Sequence, residues 1–301
     1  MGVMKGPGAY LLVTPMRNEV PMLSGLFQSV LCQTARPRKW LIVDDGSEDN
    51  SLNTAKILAS DNDWIVVVKR ISTSKADWIN IGRVISYGVA LGLDLCGKNG
   101  DIPAMVGVLD ADTILAPNYF EILINELESD SDAVIATGLV SETGESPKSR
   151  GLPRGCARLY KTSFLKELGG FSQYPSPETI LEIKARKRNY DVLVVQAAEG
   201  FHRRVSSNSG SPEGLRALGL SHYYLGFDLA SFMMSVVLLV ISRGPTKAAA
   251  FFGGYVEGVA GRFRKIDDDE IRGHYSMAWR RALYNPESLR AIRDFLRRRS
   301  M

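Results

Sequence analysis

Two short apolar runs, Tyr10-Leu-Leu-Val13 and Lys39-Trp-Leu-Ile-Val43, begin 29 positions apart. Between them Val20, Leu23, Leu26/Phe27 and Val30/Leu31 recur at helical spacing, with Pro21 in the first turn. That is the length and pattern of one β-α-β unit, whose right-handed crossover makes the two strands parallel neighbours. A parallel sheet needs helices on both faces, so this one spacing commits the chain to an α/β fold. The alternation continues through a polar turn at Asp44 to Ser51, a helix near Leu52 to Ala59 and a strand at Ile65 to Val68. A helix near Trp78 to Leu91 and a strand ending at Asp110 follow. Beyond lie a helix from Pro117 to about Glu128, a strand at Ala133 to Thr137, a helix from near Pro177 to Arg188 and a strand at Asp191 to Val195. Gly138 to Gly155 has no period and reads as a functional loop. Gly200 to Gly214, rich in Ser, Gly and Arg, reads as a mobile loop of the kind that forms lids.

The run Ala104-Met-Val-Gly-Val-Leu-Asp-Ala-Asp-Thr113 ends in two carboxylates one residue apart. On an extended chain Asp110 and Asp112 point the same way off the strand end, where open α/β sheets place their ligands. Hard cations such as Mg²⁺ or Mn²⁺ take carboxylate oxygen and share it with substrate phosphates, so a metal and diphosphate site is one reading. Helix capping or a turn is the other.

With 301 residues, 45% hydrophobic and 23% charged, the chain can bury one large core or two modest ones. Cys32, Cys96 and Cys156 have no zinc-site spacing and are odd in number, which points to reduced thiols and the cytoplasm. The first residues show no export segment, and Gly6 stands where a myristoylation signal wants Ser or Thr; the expectation is a chain that is not exported. The net charge of +4 is concentrated: Arg262 to Met301 carries 11 Lys/Arg against 6 Asp/Glu, leaving −1 for the rest. Basic residues are not interleaved with stacking aromatics on one domain, which argues against nucleic acid. They follow an apolar segment, Leu225 to Ser242, whose uncharged part from Leu229 has fourteen residues, too few for the roughly twenty of a spanning helix. With Ala248 to Ala260 it reads as two helices lying at the cytoplasmic face of a membrane, or as a packed helical subdomain. The expected division is a domain over 1–212 and a helical region over 213–301, apolar then basic.

In order along the chain, Thr14-Pro-Met-Arg-Asn-Glu19, Val43-Asp-Asp-Gly-Ser47 with Asp49, Lys75 to Asn80, Leu109-Asp-Ala-Asp112 and Gly155 to Phe171 resemble the motifs of the family 2 glycosyltransferases. These are inverting enzymes of GT-A fold that move a sugar from a nucleotide diphosphate donor. The resemblance implies a Rossmann-like, mostly parallel sheet, and a donor site drawn from Thr14, Pro15, Arg17, Glu19, Asp44, Asp45, Lys75, Asn80 and Asp110. Asp112, with Asp110, would hold Mg²⁺ or Mn²⁺. A lipid-linked or polysaccharide acceptor of cell-envelope glycan synthesis is the expected partner. In the family the base is the Asp of a Glu-Asp pair opening a helix that ends in Gly-Tyr. Counting back from Tyr190 puts Glu178 at the base, Lys184 at the family's helix Arg and Asn189 at the Gly. Pro177-Glu178 departs from the pair, which leaves a nucleotide-sugar-binding protein without turnover as an alternative. His202, in Phe201-His-Arg-Arg204, stands where some relatives supply a metal or diphosphate ligand, and Arg203 and Arg204 suit a diphosphate. A nucleotidyltransferase would want glycines in the loop at Thr14 to Glu19, which has none.

Overall fold

The computed structural model of the chain describes residues 10–70, 77–98, 102–142, 155–204 and 211–276. It forms two compact units, Met1–Val205 and Ser206–Met301.

The first unit is a mixed sheet covered by helices. β1 (Tyr10–Met16), α1 (Val20–Leu31), β2 (Lys39–Asp44), α2 (Ser51–Ala59), β3 (Ile65–Lys69), α3 (Asp77–Gly97) and β4 (Met105–Leu109) follow the expected alternation. They are followed by β5 (Thr113–Leu115), α4 (Tyr119–Ser129), β6 (Ala133–Glu142), β7 (Ala157–Lys161), α5 (Thr162–Glu167), α6 (Pro177–Lys187) and β8 (Asp191–His202). The strand order is β3-β2-β1-β4-β7-β6-β8-β5. β3, β2, β1 and β4 run parallel, as do β6 and β8, while β7 is antiparallel to both neighbours and β5 is antiparallel to β8.

Every residue of β1 is buried, as a strand covered on both faces must be. Its side chains alternate between two cores. Tyr10, Leu12 and Met16 join Leu23, Phe27 and Trp40 on one face; Leu11 and Val13 join Val43, Val84 and Val89 on the other.

The sheet is longer than the apolar runs suggested. β8 continues to His202, so Gly200–His202 is strand and not loop. Pairing on both edges, to β6 and to β5, holds this part extended although it is only half-buried. Likewise β6 runs to Glu142, α7 opens at Pro212, and residues 143–154 and 205–210 of the two expected loops lie outside the described residues.

The second unit holds α7 (Pro212–Tyr224), α8 (Leu229–Arg243), α9 (Pro245–Ala260) and α10 (Asp269–Tyr275). α7 and α9 touch backbone to backbone: a Cβ on Gly219 would lie 1.8 Å from the Phe251 carbonyl oxygen, and one on Gly254 1.8 Å from that of Arg216. Any side chain there would force the helices apart. Leu215, Phe232, Phe251 and Tyr255 form the small core beside this crossing. Among the described residues no helix is long and apolar enough to cross a membrane.

Candidate active site

β4 leaves the sheet at Leu109, and Asp110 prolongs its ladder with β7 by donating its N–H to the Cys156 carbonyl at 2.8 Å. The chain then turns through Ala111 and Asp112 into β5, where Thr113 lies opposite His202 of β8. That register brings together ligands distant in sequence: donor atoms of Asp110, Asp112 and His202 all lie within 4.8 Å of one another. The His202 Nε2–H donates to Asp112 at 3.0 Å and its Nδ1–H to the Arg204 carbonyl at 2.5 Å. The bond from Asp112, outweighing burial, pushes the imidazole up to about 9. His202 and Arg204 in turn hold the Asp112 carboxyl below its ordinary value, against burial.

Asp110 behaves oppositely. Its carboxyl is half-buried at the end of β4, and burial, then repulsion from Glu178 and Asp112, pushes it up to about 8. A divalent cation would reverse that balance by supplying the charge the carboxylate lacks. Two carboxylates and an imidazole are also a donor set that Mn²⁺ or Mg²⁺ accepts. The residues present therefore fit a metal.

Glu178 enters the same cluster from α6. Ser176, in the left-handed region at φ 54°, turns the chain so that Pro177 and Glu178 form the first turn of the helix. The Glu178 side chain lies over Gly155, where a Cβ would meet its Cγ at 3.3 Å and its carboxyl carbon at 3.4 Å. Burial raises its pKa; its own backbone N–H and Arg158 pull the other way. The loop before α6 is set by α3, because Gly82 lets the backbone of Ser172, Gln173 and Tyr174 pass close by. At the far end of α6, Asn189 adopts φ 60° and Tyr190 donates to the Ala185 carbonyl at 3.0 Å, closing the helix as a glycine would.

The first and second loops are tied to each other. The Asn18 N–H donates to Ser47 Oγ at 3.0 Å, its side-chain oxygen accepts from Glu48 N–H at 2.8 Å, and Glu19 N–H donates to Ser51 Oγ at 2.7 Å. Asp44 accepts weakly from Ser47 N–H, and Asp45 is paired with Arg70 at 2.5 Å. Arg204 reaches across to grip both carboxylate oxygens of Glu19, with its Nε 3.9 Å from Asp112. One arginine thus bridges the first loop and the acidic cluster.

A sequence model of glycosyl transferase family 2 matches residues 11–181, which takes in both loops, the carboxylate pair and Glu178. The chain belongs to glycosyltransferase family 2. Solved structures agree on the GT-A fold. The mannosyltransferase PcManGT from Pyrobaculum calidifontis, solved with GDP-Man and Mn²⁺, superposes with a TM-score of 0.53 at 13% identity, covering 95% of this chain and 84% of that one. S. aureus TarS 1–349 gives 0.51 at 14% identity, covering 84% and 81%, and the same protein solved with UDP-GlcNAc gives 0.50 at 15%. No curated protein matches the chain.

Within this family 2 chain the expected donor residues separate. Glu19, Asp110, Asp112, Glu178, His202 and Arg204 form one electrostatic cluster. Thr14 does not join it: its hydroxyl is buried and accepts from the Trp40 indole N–H at 3.0 Å. Arg203 lies beyond the end of β8, and its guanidinium donates to the Pro21 carbonyl of α1 at 3.2 Å. Pro15 is buried in β1 opposite Val43, Arg17 is half-buried, and Asn80 is buried in the first turn of α3. Lys75 lies outside the described residues.

Arg158 was not anticipated. It is almost wholly buried on β7, 3.3 Å from Glu182, whose other oxygen is held by Arg186. Its signal is present in Ala157-Arg-Leu-Tyr160, where a charge interrupts a strand of otherwise buried residues; such a charge requires a buried partner. Glu182, one turn after Glu178, is thereby occupied.

Proposed function

We propose that this glycosyltransferase is metal-dependent and inverting, transferring a sugar from a nucleotide diphosphate donor to the hydroxyl of a lipid-linked or polysaccharide acceptor, with Glu178 as base. The observation that carries the reading is the convergence of Glu178, Asp112 and His202 on Asp110 at the end of β4.

Asp110, Asp112 and His202 would hold Mg²⁺ or Mn²⁺; when bound, the ion neutralises charge on the departing nucleoside diphosphate as a Lewis acid. The tied loops at Asn18 and Ser47 hold Asp44 and Asp45 at the ends of β1 and β2, where the nucleoside would lie. Arg204 exchanges Glu19 for diphosphate oxygens, which its planar fork matches better than a lysine would. Glu178 accepts the proton of the acceptor hydroxyl as that oxygen attacks the anomeric carbon. One displacement inverts that centre. A carboxylate raised toward neutrality by burial is a better base than one in water, since its pKa lies nearer the operating pH.

Release of nucleoside diphosphate from UDP- and GDP-sugars, with Mn²⁺ and with chelator, tests the proposal. The expected result is metal-dependent release that an acceptor accelerates and a product of inverted anomeric configuration. Tight donor binding without release from any sugar would instead assign the chain as a nucleotide-sugar-binding protein.

A further inference from the structure

The apolar helices of the second unit are less buried than their sequence requires. α8 is apolar on every side, with Arg243 its sole charged residue, yet only Ser231 and Phe232 are buried. A helix apolar all round belongs inside a core or against lipid. Its inner line, Phe232, Val236 and Leu239, packs on the cluster with Phe251 and Tyr255. Its outer line, Leu229, Met233, Val237 and Val240, is 38% to 67% exposed. α9 repeats the arrangement: Phe251, Gly254, Tyr255 and Gly258 face inward, while Phe252, Val256 and Val259 are 42% to 52% exposed. Steps of three and four residues keep each outer set on a single stripe.

Length excludes a crossing: 15 and 16 residues at about 1.5 Å rise reach about 22–24 Å, short of the ~30 Å hydrocarbon core. Charge then selects the partner. Arg243 and Lys247 flank Gly244, the turn between the two helices. Of the acids of this pair, Glu257 is offset by Arg216 at 2.8 Å, and Asp228 lies at the opposite end of α8 from Arg243, where it caps the helix by accepting from the Ser231 N–H at 2.7 Å. The sequence after Ser276 adds seven Arg against two acids. A second copy joined through this face by a two-fold axis would bring like cations together; an anionic surface would accept them.

We propose that α8 and α9 dock the protein on an anionic lipid bilayer, their outer stripes at the boundary of headgroups and acyl chains and Arg243 and Lys247 among the lipid phosphates. This goes beyond the transfer chemistry and is read independently of it.

Flotation of the full chain with phosphatidylglycerol-containing vesicles, against phosphatidylcholine alone, tests the proposal without any turnover. The protein is expected to float with the anionic vesicles and to release as salt is raised. Arg243→Gln with Lys247→Gln should weaken partitioning about 25-fold, from about fivefold for each cation near the surface. Val237→Glu with Val259→Glu, both at exposed positions, should weaken it tenfold or more while circular-dichroism melting stays unchanged. Failure of the parent chain to float, or equal flotation of the parent and both variants, overturns the proposal and, in the second case, moves the binding elsewhere in the chain. A dimer that the Glu substitutions dissociate, with no vesicle binding by the parent, assigns the face to a second copy.

Discussion

Gly82→Ala is expected to slow transfer although the residue touches no substrate. The new Cβ would lie 2.3 Å from the Tyr174 carbonyl oxygen, 2.8 Å from the Gln173 carbonyl carbon and 2.9 Å from the Ser172 carbonyl oxygen. Ordinary contact begins at 3.4 Å, so the loop must retreat by roughly 1 Å, and because three consecutive residues are struck it moves as a body. Only Pro175 and the left-handed Ser176 separate that loop from Pro177 and Glu178, so the displacement is passed to Glu178, the proposed base. A misplacement of ~1 Å at a reacting group can lower kcat by ~10²-fold. Stability changes less. Helix preference favours Ala by about 0.5–1 kcal/mol, and overpacking costs about 1–3 kcal/mol, so a net loss of about 1 kcal/mol is expected. Gly253→Ala is the control: nothing lies within 4 Å of its Cβ, and it should raise stability by the helix term alone, about 0.5–1 kcal/mol. Thermal melting and nucleoside diphosphate release on both variants decide the matter. A Gly82→Ala protein that melts higher than the parent, or turns over at the parent rate, refutes the argument.

Three further outcomes follow from the site. Glu178→Gln should keep donor affinity by calorimetry and lose about 10²–10⁴-fold in kcat, with Glu178→Asp recovering part of it; near-parental turnover would remove Glu178 from the role of base. Asp112→Ala should abolish Mn²⁺-dependent binding of a nucleoside diphosphate without loss of fold, since it lies at a strand end, and undiminished affinity would sink the metal assignment. The metal-free protein should become less stable as pH rises from about 6 to about 9. His202, raised from 6.5 to about 9, contributes stability that is complete below its unfolded value and lost through about 9, while the cost of ionising Asp110 grows up to about 8. Mn²⁺ displaces protons from both, so the rise in melting temperature it causes should be larger at about pH 9 than at about pH 6, and an equal rise at both would count against these ligands.

The first half of the fold was legible because β1, β2 and β4 are buried almost throughout and each strand from β1 to β4 shows as an apolar run alternating with helical periods. Asp112 was legible because the run at β4 stops abruptly in charge. Glu178 was reached by counting back from Tyr190, and Asn189, at the position counted as the Gly, has a left-handed backbone at φ 60°. β5 was not visible, since three residues carry no periodicity, and neither was the outer part of β8, whose half-exposed residues stay extended through hydrogen bonds that sequence does not record. The same blindness concealed the partners of the arginines. Arg203 and Arg204 are identical in type and adjacent, yet one meets α1 and the other Glu19, a choice made by tertiary contacts beyond the end of β8.

The pairing of β5 with β8 also sets an order of events during synthesis. Asp112 and His202 stand 90 positions apart, and β5 is an edge strand whose neighbour in the sheet is β8. A nascent chain that has released β4 and Asp110 still has no third ligand and nothing for β5 to join. A cation held by these three residues would therefore not nucleate the sheet; it would fasten it once the last strand has docked. Its kinetic effect should fall on unfolding, lengthening the lifetime of the closed sheet while leaving the rate of its first assembly unchanged.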